Sequence, residues 1–186
     1  MLAYAPASLF AAGEVNINPW SWQSLGQSLY LLAQTGPSAG AWPASGLVIF
    51  VPFTVPEPVT ITKVWWAKGA IAGNVDAGIY ATDGTLLVSA GTTAVSAGAN
   101  QVQVVDITDT TLGAGTYYMA MCADTTTTLT IDRVSPAAGI CQGLGLLEQA
   151  GVTLPLSTGA SPATFAVYTR AFIPRFGLQG YRAVGP

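Results

Sequence analysis

From Leu47 onward the apolar positions fall into short runs and alternations of the kind strands make. Residues 47–53 form a compact apolar run closed by Pro52 and Pro56. Residues 59–68 follow, and 69–73 read as a turn. In 75–81 the pattern alternates, placing Val75, Ala77 and Ile79 on one face. Asp83-Gly84 marks a hairpin turn into 85–89. Residues 101–107 form the next strand. Residues 113–115 turn into 116–123, where Tyr117, Met119 and Met121 share a face. The threonine-rich stretch 126–132 suits a short strand. Residues 135–162 hold Pro, Gly and Ser around a helical turn at 144–149. Residues 163–173 close the domain with Phe165, Val167, Thr169, Ala171 and Ile173 on one side, and the tail after Pro174 is short. About eight short strands with little helix predict an all-β fold, an antiparallel β-sandwich. The strand count favours a jelly-roll. Ile79, Val104, Met119, Phe165 and Val167 are expected in or near its core.

Residues 1–46 read differently. They mix Ala, Pro, Ser and Gly with Leu2, Tyr4, Leu9, Phe10, Trp20, Trp22, Leu25, Leu29, Tyr30 and Trp42. Residues 24–34 have the spacing of a short helix; the rest suits an extended arm. The expected organisation is an N-terminal arm over 1–46 and a sandwich over 47–186. No charge lies between Glu14 and Glu57, yet prolines and glycines break this stretch into runs too short to cross a bilayer. The first basic residue is Lys63, so no positive segment opens a secretory signal. A greasy arm must bury itself on its own domain or on a neighbour. Trp65 and Trp66 are adjacent on one predicted strand and must point to opposite faces, one inward and one outward. Leu9, Phe10, Trp20, Trp22, Trp42 and Trp65 are therefore the candidate partner-binding residues.

Charge changes the picture further. Only 8% of residues are charged, the net charge is −3, and histidine is absent. Six basic residues cannot build a phosphate-neutralising surface, which excludes a nucleic-acid partner. A neutral, poorly charged surface favours self-association, so a homo-oligomer or a permanent assembly component is expected. Without histidine, serine nucleophiles lack their usual base; a Ser–Lys dyad has only Lys63 and Lys68 to draw on. Carboxylate pairs suited to glycoside hydrolysis would be Asp76 with Asp83, Asp106 with Asp109, or Asp124 with Asp132. Asp83 is explained by its turn, and Asp106 and Asp109 stand at a strand end where Asp commonly ties a turn. No EF-hand spacing supports calcium. The expectation is no catalytic residue, no cofactor and no metal. Cys122 and Cys141 read as buried thiols or as a bridge across the intervening loop.

Two segments carry a likeness. GNVDAGIYATDGTLL (73–87) and TLGAGTYYMAM (111–121), with the closing FIPRFGLQG (172–180), resemble a β-sandwich module recurrent in virion proteins of tailed bacteriophages. The resemblance spans roughly residues 47–180 and implies a structural virion protein with no catalytic set. Its members include capsid decoration (cement) proteins, head fibres and tail-tip parts. The expected role is a decoration protein on the capsid exterior. Its partners would be copies of itself, as in a small ring such as a trimer, and the major capsid protein. The alternative is a tail or fibre component that binds host-surface glycans.

Overall fold

β-Branched and aromatic residues fill the strands, and glycine, proline or Asp-Gly pairs end them. The computed structural model describes residues 14–17, 38–96, 98–126, 128–157 and 166–182. In chain order the strands are β1 (Glu14–Ile17), β2 (Ser38–Ala41), β3 (Leu47–Val55), β4 (Val59–Lys68), β5 (Asn74–Ala81), β6 (Leu86–Ser89) and β7 (Thr93–Ala94). They continue as β8 (Gln101–Leu112), β9 (Gly115–Ala123), β10 (Thr130–Val134), β11 (Leu147–Gln149), β12 (Ala166–Val167), β13 (Ile173–Pro174) and β14 (Phe176–Arg182). A short helix, α1 (Ala138–Gly143), lies between β10 and β11.

All pairings are antiparallel and form two sheets. The first has the order β1-β14-β4-β8; β10 continues past β14 along the same side of β4 and carries β13 and β2. The second has the order β12-β11-β3-β9-β5-β6, with β7 also beside β5. The backbone of this arrangement, β1-β14-β4-β8 facing β3-β9-β5-β6, is the strand order of a jelly-roll. Residues 124–175 are an insertion before the last strand that extends both sheets.

Between the sheets lies the main core. Ile49, Val51 and Phe53 of β3 and Ile79 of β5 meet Ile61, Val64 and Trp66 of β4, with Met119 and Met121 of β9. A second cluster covers the outer face of the second sheet: Val48, Phe50, Tyr80, Ala120 and Cys122 lie beneath Leu156. Phe50 meets the edge of Tyr80 at 5.4 Å and of Tyr118 at 6.4 Å. The covering segment, residues 150–157, is fixed by Val152 N–H to Gly46 O (2.9 Å), Leu156 N–H to Asp76 Oδ2 (2.8 Å) and Tyr80 O–H to Ser157 O (2.9 Å). Gly46 has a φ of +66°, and a Cβ there would sit 2.5 Å from Val152 O, so this approach requires glycine.

The sequence reading needs several corrections. Trp42 is 1% exposed in the intersheet core. Its indole N–H donates to Leu47 O (3.0 Å), and its ring meets Phe172 edge-on at 5.5 Å. It is therefore withdrawn from the partner-binding set: an apolar indole with a satisfied N–H inside its own domain offers nothing to a neighbour. The sandwich also begins before Leu47, because β2 pairs with β10 and β1 pairs with β14. Val104 and Val167 are exposed, not core, while Ile79 and Met119 are fully buried. Phe165 and the predicted helix at 24–34 lie outside the described residues, as do Leu9, Phe10, Trp20 and Trp22. The supposed tail contains β14, which pairs with β4 along its length. Both cysteines are buried free thiols.

Trp42→Ala should lower unfolding free energy by about 3–5 kcal/mol, the usual cost of emptying a buried tryptophan site. A denaturant melt of purified protein measures it. A loss below about 1 kcal/mol would place Trp42 at the periphery instead.

Candidate functional site

Residues 150–157 cover the outer face of the second sheet; on that of the first, among the described residues, Val102, Val104 and Tyr181 are exposed and Ala67 is buried. On β4 the residues Val59, Ile61, Val64 and Trp66 point inward. Thr60, Lys63, Trp65 and Ala67 therefore take the outward side, with the register adjusted by a bulge between Ile61 and Lys63. The adjoining strand β8 sets Val104 opposite Trp65, Val102 opposite Ala67, and Asp106 opposite Lys63. On the other flank of Trp65 stands Gly177 of β14, which has no side chain to crowd the indole.

This face is mostly uncharged. Val102 and Val104 are 56% and 51% exposed, and Trp65 is half-buried between them and β14. Ile71, in the loop after β4, is exposed at the same corner, where Gly69 O accepts the Asn100 amide at 2.9 Å. Tyr181, opposite Thr60, is exposed farther along the same sheet. Among the six exposed large apolar side chains of the described residues, four thus belong to the first sheet or its adjoining loop. Polar contacts here are local: Thr60 and Thr111 hydroxyls share a 3.0 Å hydrogen bond, and Lys63 Nζ lies 3.1 Å from Asp106.

The border of this face is an open strand edge. Among the described residues β8 pairs with β4 alone, so its far side presents unpaired backbone donors and acceptors. Edge strands are usually blunted by lysine, proline or charge. β8 has neither lysine nor proline, and its first five residues, Gln101 to Val105, carry no charge. Gln103 points inward and is buried. Its amide accepts from Ser96 N–H (2.9 Å) and donates to Ala94 O (3.0 Å). That pairing is why Val102 and Val104 face outward.

Other candidate chemistry is used within the chain. Lys68 is buried and donates to Ser96 O (2.5 Å) and Ser96 Oγ (3.0 Å). These contacts tie the loop at Ser96 to the end of β4. The proposed carboxylate pairs are engaged separately. Asp83 accepts from Thr85 N–H (2.9 Å), and this amide holds its carboxyl below the usual range. Asp124 accepts from Asn74 N–H (2.8 Å) and Nδ2 (2.7 Å), and Asp132 lies 3.5 Å from Arg175. Asp76 is buried far from the exposed turn that contains Asp83, beneath residues 150–157. Beside it, a cleft of about 290 Å³ is lined by Val48, Tyr80, Gln149, Val152 and Ser157. Among the described residues, no three Cys, Asp or Glu side chains gather as a metal-holding group.

All six basic residues have partners in the chain. Besides Lys63 and Lys68, Arg170 pairs with Glu148 (2.9 Å), Arg175 with Asp132, and Arg182 with Glu57 (2.9 Å). Arg133 lies over the Phe172 ring at 5.3 Å. Among the described residues, the outward face at Val102, Val104 and Trp65 is thus apolar and bordered by the backbone edge of β8. Of the candidate partner-binding residues that are described, Trp65 lies on it and Trp42 does not; Leu9, Phe10, Trp20 and Trp22 lie outside the described residues. Val102, Val104 and Ile71 are additions the sequence reading missed; an apolar residue on alternate positions of a strand with a polar inward partner was the available signal.

Trp66→Ala should cost about 3–5 kcal/mol in a chemical melt, whereas Trp65→Ala should cost less than half as much. Equal losses would mean that Trp65 is held as core and not displayed. Against protein-family models, curated proteins and solved structures, the chain finds no match.

Proposed function

We propose that the chain is a structural subunit that joins other protein subunits through the outward face of β4 and the free edge of β8. The assembly is a tailed-bacteriophage virion, and the role is capsid decoration: reinforcing the head by contacts between subunits. One observation carries the reading. An uncharged strand edge, Gln101 to Val105, lies beside exposed Val102 and Val104 and half-buried Trp65. Contiguous exposed apolar surface next to an open edge is a docking feature. The satisfied state of every basic side chain adds support, since the contact has no free cation to direct it toward a polyanion. The virion assignment is supported by the resemblance of the hairpin segment at 73–87, the strand segment at 111–121 and the closing segment at 172–180 alone.

Such a contact is made of apolar surface and backbone hydrogen bonds, so it should change little between low and high salt. Val104→Asp places a charge in the middle of the face and should abolish association while leaving the far-ultraviolet circular dichroism unchanged. Sedimentation velocity of wild type and variant checks this, and a wild-type protein that stays monomeric at every concentration would remove self-association. Immunogold labelling of virions with antibody to the chain tests the location. Label over heads is expected; label at tail tips would favour the glycan-binding alternative; no label on particles would end the virion reading.

A further inference from the structure

Among the described residues, Asp76 is the one carboxylate fully buried without a cation beside it. It projects from β5 onto the outer face of the second sheet, across from Cys122 of β9. Oδ2 accepts from the Leu156 amide (2.8 Å) and the Ser89 hydroxyl (3.1 Å). Oδ1 is buried and has no hydrogen-bond partner. The amides of Ala77 and Gly91 also favour the anion, though neither reaches Oδ1 in hydrogen-bond geometry. The titratable groups of this face are Tyr80 on β5 and Tyr118 and Cys122 on β9, with Asp124 beyond the end of β9. β3 contributes Val48 and Phe50, β6 contributes Ser89, and residues 150–157 contribute nothing that ionises. No lysine or arginine stands in this set.

We propose that residues 150–157 form a proton-controlled cover: with Asp76 neutral the cover is closed, and ionisation of Asp76 loosens it and bares Cys122 and its apolar neighbours. The cover rests on a few contacts, of which the Leu156 amide to Asp76 is one and the Leu156 side chain another. A buried anion without a counter-charge is costly, and water reaches it most directly when this segment lifts. Burial pushes the carboxyl above its ordinary value of 3.8, outweighing the Leu156, Ser89 and other hydrogen bonds that pull it down. The Leu156 bond does strengthen on ionisation, which opposes release, but burial is the larger influence.

The sign follows from proton linkage. The closed form holds a proton that the open form gives up. The closed cover therefore loses stability as pH rises from 3.8 toward the raised value, and the penalty is constant beyond it. Opening is local. Cys141 lies in the intersheet core, away from this face, so it reports separately on unfolding of the whole domain. Burial raises both thiols, Cys122 to about 12 and Cys141 to about 11.

The test is thiol labelling with methyl methanethiosulfonate, which reacts in mild acid as well as at neutral pH, with each cysteine followed by mass spectrometry. Wild type and Asp76→Asn, whose side chain copies the neutral acid, are compared at each pH from about 4 to 8. Taking the ratio at equal pH cancels the reagent's own response; the Asp76 charge also holds the Cys122 thiol up, which works against the rise sought and cannot mimic it. The wild-type to variant ratio for Cys122 should rise several-fold across the range, while the ratio for Cys141 stays flat. A flat Cys122 ratio, or acceleration of both cysteines together, overturns the proposal. Should Asp76→Asn fail to fold, the carboxyl carbon-13 shift of Asp76 in wild-type protein decides: a midpoint at or below 3.8 also overturns it.

Discussion

The central strands of the second sheet are buried on both faces, and much of the molecule follows from that. One face of β3, β9 and β5 meets the first sheet across the main core; the other is closed by residues 150–157. Such strands need apolar side chains at successive positions, not at alternate ones. Leu47 to Val51 is accordingly a continuous apolar run, and Met119 to Ala123 are all buried. Each large apolar side chain so enclosed contributes about 1.5–3 kcal/mol relative to exposure. On the outer face of the first sheet, Val102, Val104 and Tyr181 are the large apolar side chains that the described residues leave exposed.

The insertion at 124–175 makes this enclosure possible and also closes the end of the sandwich. β10 and β13 lengthen the first sheet, and β11 and β12 widen the second. Between them Phe172 is held by the edge of Trp42 and by the guanidinium of Arg133. Tyr168 is fully buried and donates to Phe172 O; burial raises its phenol far above the ordinary range. β2 pairs with β10 so that Gly40 lies against the Arg133 side chain. A tryptophan that lies early in the chain is thereby joined to residues more than a hundred positions later. No local pattern around Trp42 could announce that.

What was legible in the sequence was local. Alternation identified β5 and the shared face of Tyr117, Met119 and Met121, and Asp83-Gly84 identified the β5–β6 hairpin. Adjacency alone required Trp65 and Trp66 to part, and it is Trp66 that enters the core. What alternation cannot tell is which face is inside. In β8 the valines look like the core set, yet Gln103 is inward because its amide finds two backbone partners near Ser96. β14 was hidden by its glycines, which weaken a strand pattern. Gly180 is required by its neighbour, since a Cβ there would strike Thr60 O at the bulge, and Gly177 stands beside Trp65. The helical turn foreseen at 144–149 instead holds β11, and α1 lies just before it.

The scarcity of charge acquires a meaning once the charges are placed. Nine acidic and six basic residues serve 186 positions, and the basic ones are all taken up by intrachain partners. Like-charge repulsion is the usual means by which copies of a protein are kept apart, and charged edges are the usual defence against strand addition. On β8 that defence begins only at Asp106, which is itself matched to Lys63. The uncharged first half of the strand is open both to backbone pairing and to apolar contact through Val102 and Val104. A partner that meets this edge is selected by shape and register, because little electrostatic field is available to select it.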